Sequence, residues 1–297
     1  MDTRNEFTPR KAHFHMIPNF AFCGKSGSGK TYSALLFARG YVGNGKICVI
    51  DTENRRSETY ANDPLIGDFD IIELTAPFTP ERYLNAYRAA CDHVGNNGFV
   101  IIDSGSHEWE GEGGTLEFAE SINNKTAGKW NAPKQRRKKF VQAIANPIVP
   151  TIICFRVKDR LIDVRDPNKG TVEEIVTEKN FKFELTTIVK FQENTHFTEF
   201  MKAPKPLRSI VKNGVIVTPE MGAQYAHLIK SGSGETSIEV IFNKIQSAST
   251  EQELNDIYKL YQSHSEKDNI INACKARKAN LNQPEIDPET GEIIPQA

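Results

Sequence analysis

The chain reads as an α/β protein with a mostly parallel sheet, antiparallel strands at one edge and a small helical module beyond. Three observations carry that reading. Short apolar strands alternate with amphipathic helical stretches through the first half of the chain, as in βαβ units. One strand, Gly98-Phe99-Val100-Ile101-Ile102-Asp103, is an unbroken apolar run of the kind buried on both faces. A glycine-rich turn, Gly24-Lys25-Ser26-Gly27-Ser28-Gly29-Lys30-Thr31, sits between an apolar strand and a helix.

The elements follow in order. Strands are expected at 17–23, 46–51, 69–74, 98–103 and 150–155. A helix follows the glycine turn over 32–38. Pro80 opens another, to Val94, with Tyr83, Leu84, Tyr87, Ala90, Cys91 and Val94 at helical spacing. Further helices are expected at 115–122 and 133–145. A hairpin is expected next, with strands at 160–165 and 171–177 around a turn at 166–170. Two more strands, 181–191 and 195–202, complete an antiparallel edge.

Residues 1–16 form an N-terminal arm, 17–230 the main domain, and Ser231-Gly232-Ser233-Gly234 begins a linker over 231–236. A helical module is expected over 237–283. In it Thr250 and Glu253 form a capping box, and Ser265 caps a third helix. The Pro-containing, acidic segment 284–297 is expected to be disordered.

Bulk properties narrow the function. A length of 297 residues allows one large domain and a small appendage. Net charge is −1, so any nucleic-acid affinity must come from local patches. No apolar run reaches membrane-spanning length, and residues 1–16 lack the apolar core of a signal peptide. The five cysteines are scattered without CxxC spacing, which argues against a structural zinc or a disulfide framework and for a reducing cytosol.

The glycine turn fits the Walker A pattern. Between strand and helix, such a turn aims successive N–H groups and a positive helix end at one point, a phosphate site. Gly24, Lys25, Ser26, Gly27, Ser28, Gly29, Lys30, Thr31 and Tyr32 are therefore the candidate nucleotide-binding residues. Lys30 is expected on the terminal phosphates and Thr31 on Mg²⁺. Asp103 ends the fourth strand and is the second Mg²⁺ candidate, in the Walker B role. Ser104 follows it, where many P-loop ATPases carry a glutamate. The water-activating base is instead assigned to Glu53, just past the second strand, because the carboxyl ends of neighbouring strands converge on the ligand. Glu108 is the runner-up.

These features together resemble the RecA-like recombinase ATPases, and more closely the phage-encoded RecA-like ATPases of single-strand annealing and recombination. The resemblance rests on Gly24 to Thr31, Asp51-Thr52-Glu53-Asn54, Ile101-Ile102-Asp103-Ser104, Ser106-His107-Glu108-Trp109-Glu110-Gly111, Lys129-Trp130, and Ile152 to Lys158. It covers about three-quarters of the chain, residues 15–230, and implies a RecA-like P-loop NTPase core. It also implies ATP and Mg²⁺ as cofactors, DNA-stimulated ATP hydrolysis with Glu53 as the base, and action in the cytoplasm of a bacterial host. Cellular recombinases carry a nucleotide-sensing Gln after the fifth strand. Here Arg156 and Lys158 occupy that region and become the candidate sensors, in their own subunit or a neighbour's. Lys25 also resembles the extra lysine of partition-type ATPases, whose Gly-Gly is replaced here by Ser26-Gly27. Without the large N-terminal polymerisation domain of some recombinases, the expected assembly is a ring or short filament. A single-strand-binding or replication protein is a further expected partner.

Between 125 and 139 lie seven Lys or Arg and no acid, with Trp130 among them. Cations beside an aromatic suit single-stranded DNA, through phosphate neutralisation and base stacking. Lys129, Trp130, Lys134, Arg136, Arg137, Lys138 and Lys139 are the DNA-binding candidates. The bland alternative is a solvated basic helix anchored by Trp130. Two other functions fit the same motifs: a DNA motor or helicase loader, and an ATP-binding switch with little turnover.

Overall fold

The computed structural model describes residues 16–122, 130–210, 212–231, 238–261 and 266–281. The N-terminal arm up to residue 15, most of the linker, Ser265 and the acidic tail lie outside the described residues. Contacts divide the chain into two compact units, residues 15–229 and a C-terminal set from 230 onward.

The larger unit is α/β. Its eight strands are β1 (Asn19–Gly24), β2 (Ile47–Asp51), β3 (Asp70–Glu73), β4 (Phe99–Asp103), β5 (Thr151–Leu161), β6 (Thr171–Ile175), β7 (Thr187–Phe191) and β8 (Thr198–Lys202). They form one mixed sheet in the order β3-β2-β4-β5-β1-β7-β8, with β6 paired to β5 off this path. All pairs from β3 through β7 are parallel; β5–β6 and β7–β8 are antiparallel. Strands β2 and β4 are buried along their whole length, which is why they read as continuous apolar runs.

Helix α1 (Lys30–Val42) follows the glycine turn and α2 (Pro80–Val94) crosses from β3 to β4. Thr79 caps α2, its hydroxyl accepting from Arg82 N at 3.3 Å, and Pro80 takes the first helical position. The short helices α3 (Ser106–Glu110) and α4 (Thr115–Ser121) lead to α5 (Asn131–Ala145). Beyond them come α6 (Phe181–Glu184), α7 (Lys205–Ile210) and α8 (Pro219–Ser231). One side chain cluster unites α2, α5 and the sheet through Tyr83, Tyr87, Ile102, Phe140, Ile144 and Phe155. Helices α1 and α8 touch backbone to backbone. A Cβ on Gly40 would stand 1.6 Å from Pro219 O, and one on Gly222 would stand 2.0 Å from Phe37 O.

Three expectations need correction. The strand at 150–155 does not stop there: β5 runs on to Leu161 and itself forms the first arm of the hairpin, pairing Val157–Leu161 with Thr171–Ile175. Residues 181–191 are not one strand, since α6 precedes β7 with Leu185 and Thr186 between them. Ser231 closes α8 rather than opening a linker.

The C-terminal unit contains α9 (Ile238–Ser247), α10 (Glu251–Tyr261) and α11 (Lys267–Leu281). Ile241, Ile245, Ala248, Leu254 and Ile270 form its core. Thr250 accepts from Glu253 N at 3.2 Å, while the Glu253 carboxylate reaches back to Ser249 N at 2.7 Å. The cap is thus a box whose return bond falls one residue earlier than the motif implies.

Candidate functional site

The carboxyl ends of β1, β2 and β4 meet the middle of β5, where Arg156 lies in register with Gly24 of the glycine turn. Gly27 and Gly29 have φ of 79° and 87°, in the left-handed region that side chains rarely adopt. Gly24 has no room for a side chain: a Cβ there would stand 2.3 Å from Ser28 Oγ. Ser28 is buried under the loop, and its hydroxyl is unpaired. Gly29 caps α1 without a side-chain hydrogen bond, and the first turn of α1 carries no acid. Its leading N–H groups have no partner within the helix, so this end is electropositive. Lys30 Nζ donates to Lys25 O at 2.8 Å, folding the lysine along its own loop.

Thr31 Oγ1 donates to Asp103 Oδ2 at 2.5 Å, joining the first turn of α1 to the end of β4. Burial pushes the Asp103 carboxyl up to about 6, against the lowering effect of the Thr31 hydrogen bond. In sheet register Asp103 lies beside Asp51. Asp51 builds the loop after β2: its carboxylate accepts from Glu53 N at 2.7 Å, Arg55 N at 3.2 Å, Ser57 N at 3.1 Å and the Ser57 hydroxyl. Asn54 and Arg55 take the left-handed conformation that this turn requires. The result fixes where Glu53 begins.

Glu53 faces Arg156 at the point where β5 leaves the sheet. Arg156 Nε and Nη2 donate to its two oxygens at 2.9 and 2.6 Å, a bidentate pair. Arg56 lies 3.8 Å from the same carboxylate. The pairing with Glu53 holds the Arg156 guanidinium above its ordinary value. Arg156 N donates to Ser106 Oγ at 2.9 Å, which sets the strand against α3. Lys158, two residues on, pairs with Glu110 of α3 at 2.5 Å. Both expected sensors therefore stand on one face of β5, each held by a carboxylate. A cavity of about 330 Å³ opens beside Glu53 and Arg156, lined also by Thr52, Arg56, Phe78 and His107.

Lys25 turns away from Lys30 and pairs with Asp159 at 2.8 Å and Glu173 at 3.7 Å, tying the glycine turn to the β5–β6 hairpin. Tyr32 donates to Asp63 at 3.1 Å and packs on Tyr60 with ring centres 5.3 Å apart.

Helix α3 is a hub. His107 Nδ1 lies 2.7 Å from Thr52 Oγ1, and its ring stacks on Phe78. Burial, then Arg156, hold its pKa below the ordinary value. Thr52 Oγ1 also accepts from Ser104 N at 2.8 Å, joining the ends of β2 and β4. Glu108, the runner-up base, is only 1% exposed and is consumed by Arg137 at 2.8 Å and by Thr115 Oγ1 at 2.8 Å, so it has no oxygen to offer a water at the loop.

That pair corrects the DNA-binding set. Arg137 is 4% exposed, with its guanidinium against the Trp109 and Phe181 rings, each at 5.3 Å, and cannot meet a phosphate. Arg136 pairs with Glu81 at 2.7 Å over the Phe118 ring. Lys134, Lys138 and Lys139 stand exposed on α5. Trp130 stacks on Trp109 with ring centres 5.9 Å apart and planes 16° from parallel, both half-buried. Lys129 lies outside the described residues. Sequence reasoning missed the Glu53–Arg156 and Glu108–Arg137 pairs because each joins residues far apart along the chain.

The class defined by these observations is an α/β protein with a mostly parallel, eight-stranded mixed sheet, compatible with a Rossmann-like or P-loop-like core. No helix among the described residues is long and apolar enough to cross a membrane. No protein-family model matches the chain, and no curated protein matches it either.

Proposed function

We propose that the chain is a RecA-like P-loop ATPase that binds single-stranded DNA and serves recombination or annealing in a phage-infected bacterial cell. The single observation that carries this reading is the Thr31–Asp103 hydrogen bond beside an uncapped helix end and two left-handed glycines. A hydroxyl and a carboxylate at hydrogen-bonding distance are a fit donor set for Mg²⁺, which takes few protein ligands and completes its shell with phosphate oxygens and water. When bound, Mg²⁺ supplies neutralisation of phosphate charge. The loop N–H groups and Lys30 hold the phosphates. Glu53 takes the proton of the attacking water once Arg156 yields it, and Arg156 then adds positive charge at the same place. Exposed Lys134, Lys138 and Lys139 beside the Trp109–Trp130 stack supply the cations and aromatic face for a single strand. Assembly into a ring or short filament, and a single-strand-binding or replication protein as partner, belong to the same proposal.

A second reading has one observation in its favour. With both Glu53 oxygens held by Arg156, the chain is equally built as an ATP-dependent switch with little turnover. The test is ATP hydrolysis with and without a single-stranded oligonucleotide, alongside oligonucleotide binding at low salt. DNA-stimulated hydrolysis supports the first reading. ATP binding without turnover supports the second, and absence of DNA binding removes the recombination role.

A further inference from the structure

We infer that His196 is the contact for the nucleoside end of the nucleotide, an inference that rests on the phosphate-loop reading above. The imidazole lies on the loop itself. A Cβ built on Gly29 would stand 3.2 Å from His196 Nδ1 and 3.4 Å from its Cγ, so the ring covers the Gly29 edge of the glycine turn.

The β7–β8 turn fixes the backbone that carries the ring. His196 N donates to Gln192 O at 3.0 Å, and Gln192 N donates to Phe197 O at 3.0 Å. Thr195 Oγ1 donates to Gln192 Oε1 at 2.8 Å and accepts from Phe197 N at 3.3 Å. His196 has a φ of 58°, a left-handed conformation uncommon for a residue with a side chain. Strained backbone that is over-determined by surrounding bonds gathers at ligand sites. His196 is exposed, so a ligand on the loop can reach the part of the ring turned away from Gly29.

Sheet order supplies the direction. The groups suited to the terminal phosphate are Asp103 on β4 and Glu53 after β2, both on one side of β1. Strands β7 and β8 lie on the other side. A nucleoside triphosphate is a linear molecule with its terminal phosphate at one end and its base at the other. With the phosphate end turned toward β4, the nucleoside end points toward the β7–β8 turn, where His196 presents a flat ring for stacking and a nitrogen for the ribose.

The experiment is a calorimetric titration of the full chain, in Mg²⁺, with ATP and with inorganic tripolyphosphate. His196→Gly removes the ring and tolerates the left-handed backbone; His196→Phe keeps a flat ring. The expected result is an ATP affinity about tenfold weaker in His196→Gly, with tripolyphosphate affinity unchanged and ATP affinity largely restored in His196→Phe. Equal weakening for both ligands overturns the inference, because the ring would then act on the loop alone. Unchanged ATP affinity overturns it too. A wild-type chain that binds neither ligand overturns it together with the phosphate-loop reading, and the wild-type titration alone identifies that case.

Discussion

Arg156 occupies both oxygens of Glu53, at 2.9 and 2.6 Å, and so neutralises the carboxylate proposed above as the water-activating base. The pair joins the loop after β2 to the middle of β5. Its two partners are held independently, Glu53 through the Asp51 turn and Arg156 through Ser106. Substituting Glu53→Gln is expected to lower ATP turnover by about 10²–10⁴-fold, the usual worth of a general base, with ATP affinity nearly unchanged. Steady-state hydrolysis and equilibrium binding check this. Turnover equal to the wild type would remove Glu53 from the chemistry and favour the switch.

Asp103 gives a pH prediction. Its folded pKa, about 6, lies above the ordinary 3.8, so the folded state holds the proton more tightly than the unfolded one. Stability from this group is present at low pH and is lost as pH rises through about 6. Asp103→Asn in the ligand-free chain is therefore expected to resist urea better at pH 8, by about 1–3 kcal/mol, with the gain vanishing below about pH 4. The same variant should lose the Mg²⁺ dependence of nucleotide affinity.

Arg137 and Glu108 form a buried pair, at 4% and 1% exposure. Arg137→Met alone strands a buried carboxylate and is expected to cost about 3–5 kcal/mol in urea unfolding. Adding Glu108→Gln removes the stranded charge and should recover most of that loss. A double variant no better than the single one would mean that the charge is not what the arginine compensates.

Gly40 permits the close crossing of α1 and α8. Gly40→Ala would meet backbone rather than a movable side chain and is expected to cost at least about 1–3 kcal/mol, read as a lowered urea midpoint. An unshifted midpoint would show that α8 can slide away from α1.

The exposed lysines of α5 are separable from the rest of the run. Replacing Lys134, Lys138 and Lys139 together with Gln should weaken oligonucleotide binding and reduce the log–log salt slope by about 2, at about 0.7 for each phosphate contact on a single strand. An unchanged slope would move the DNA path elsewhere.

Much of the fold was legible because its signals are local. The glycine turn between β1 and α1, the apolar runs of β2 and β4, and Pro80 at the start of α2 are each read from adjacent residues. The misread stretches are those where tertiary pairing decides. β5 continues past Phe155 because β6 pairs with its polar half, and a run of alternating charge gives no sign of that. One member of the basic run on α5 was also separable from sequence. Pro133, Arg137, Phe140 and Ile144 share one buried stripe, so helical spacing alone sets Arg137 apart from its basic neighbours. The loop glycines, Thr31, Asp103 and Glu53 could be chosen singly from sequence. What Glu53 and Arg156 do to each other needs the sheet order that joins positions 103 residues apart.

Strand β5 is an unbroken ladder from Thr151 in the middle of the sheet to Leu161 at an outer arm. The strand that carries the outer arm of the hairpin is thus also the strand that carries Arg156, the partner of Glu53.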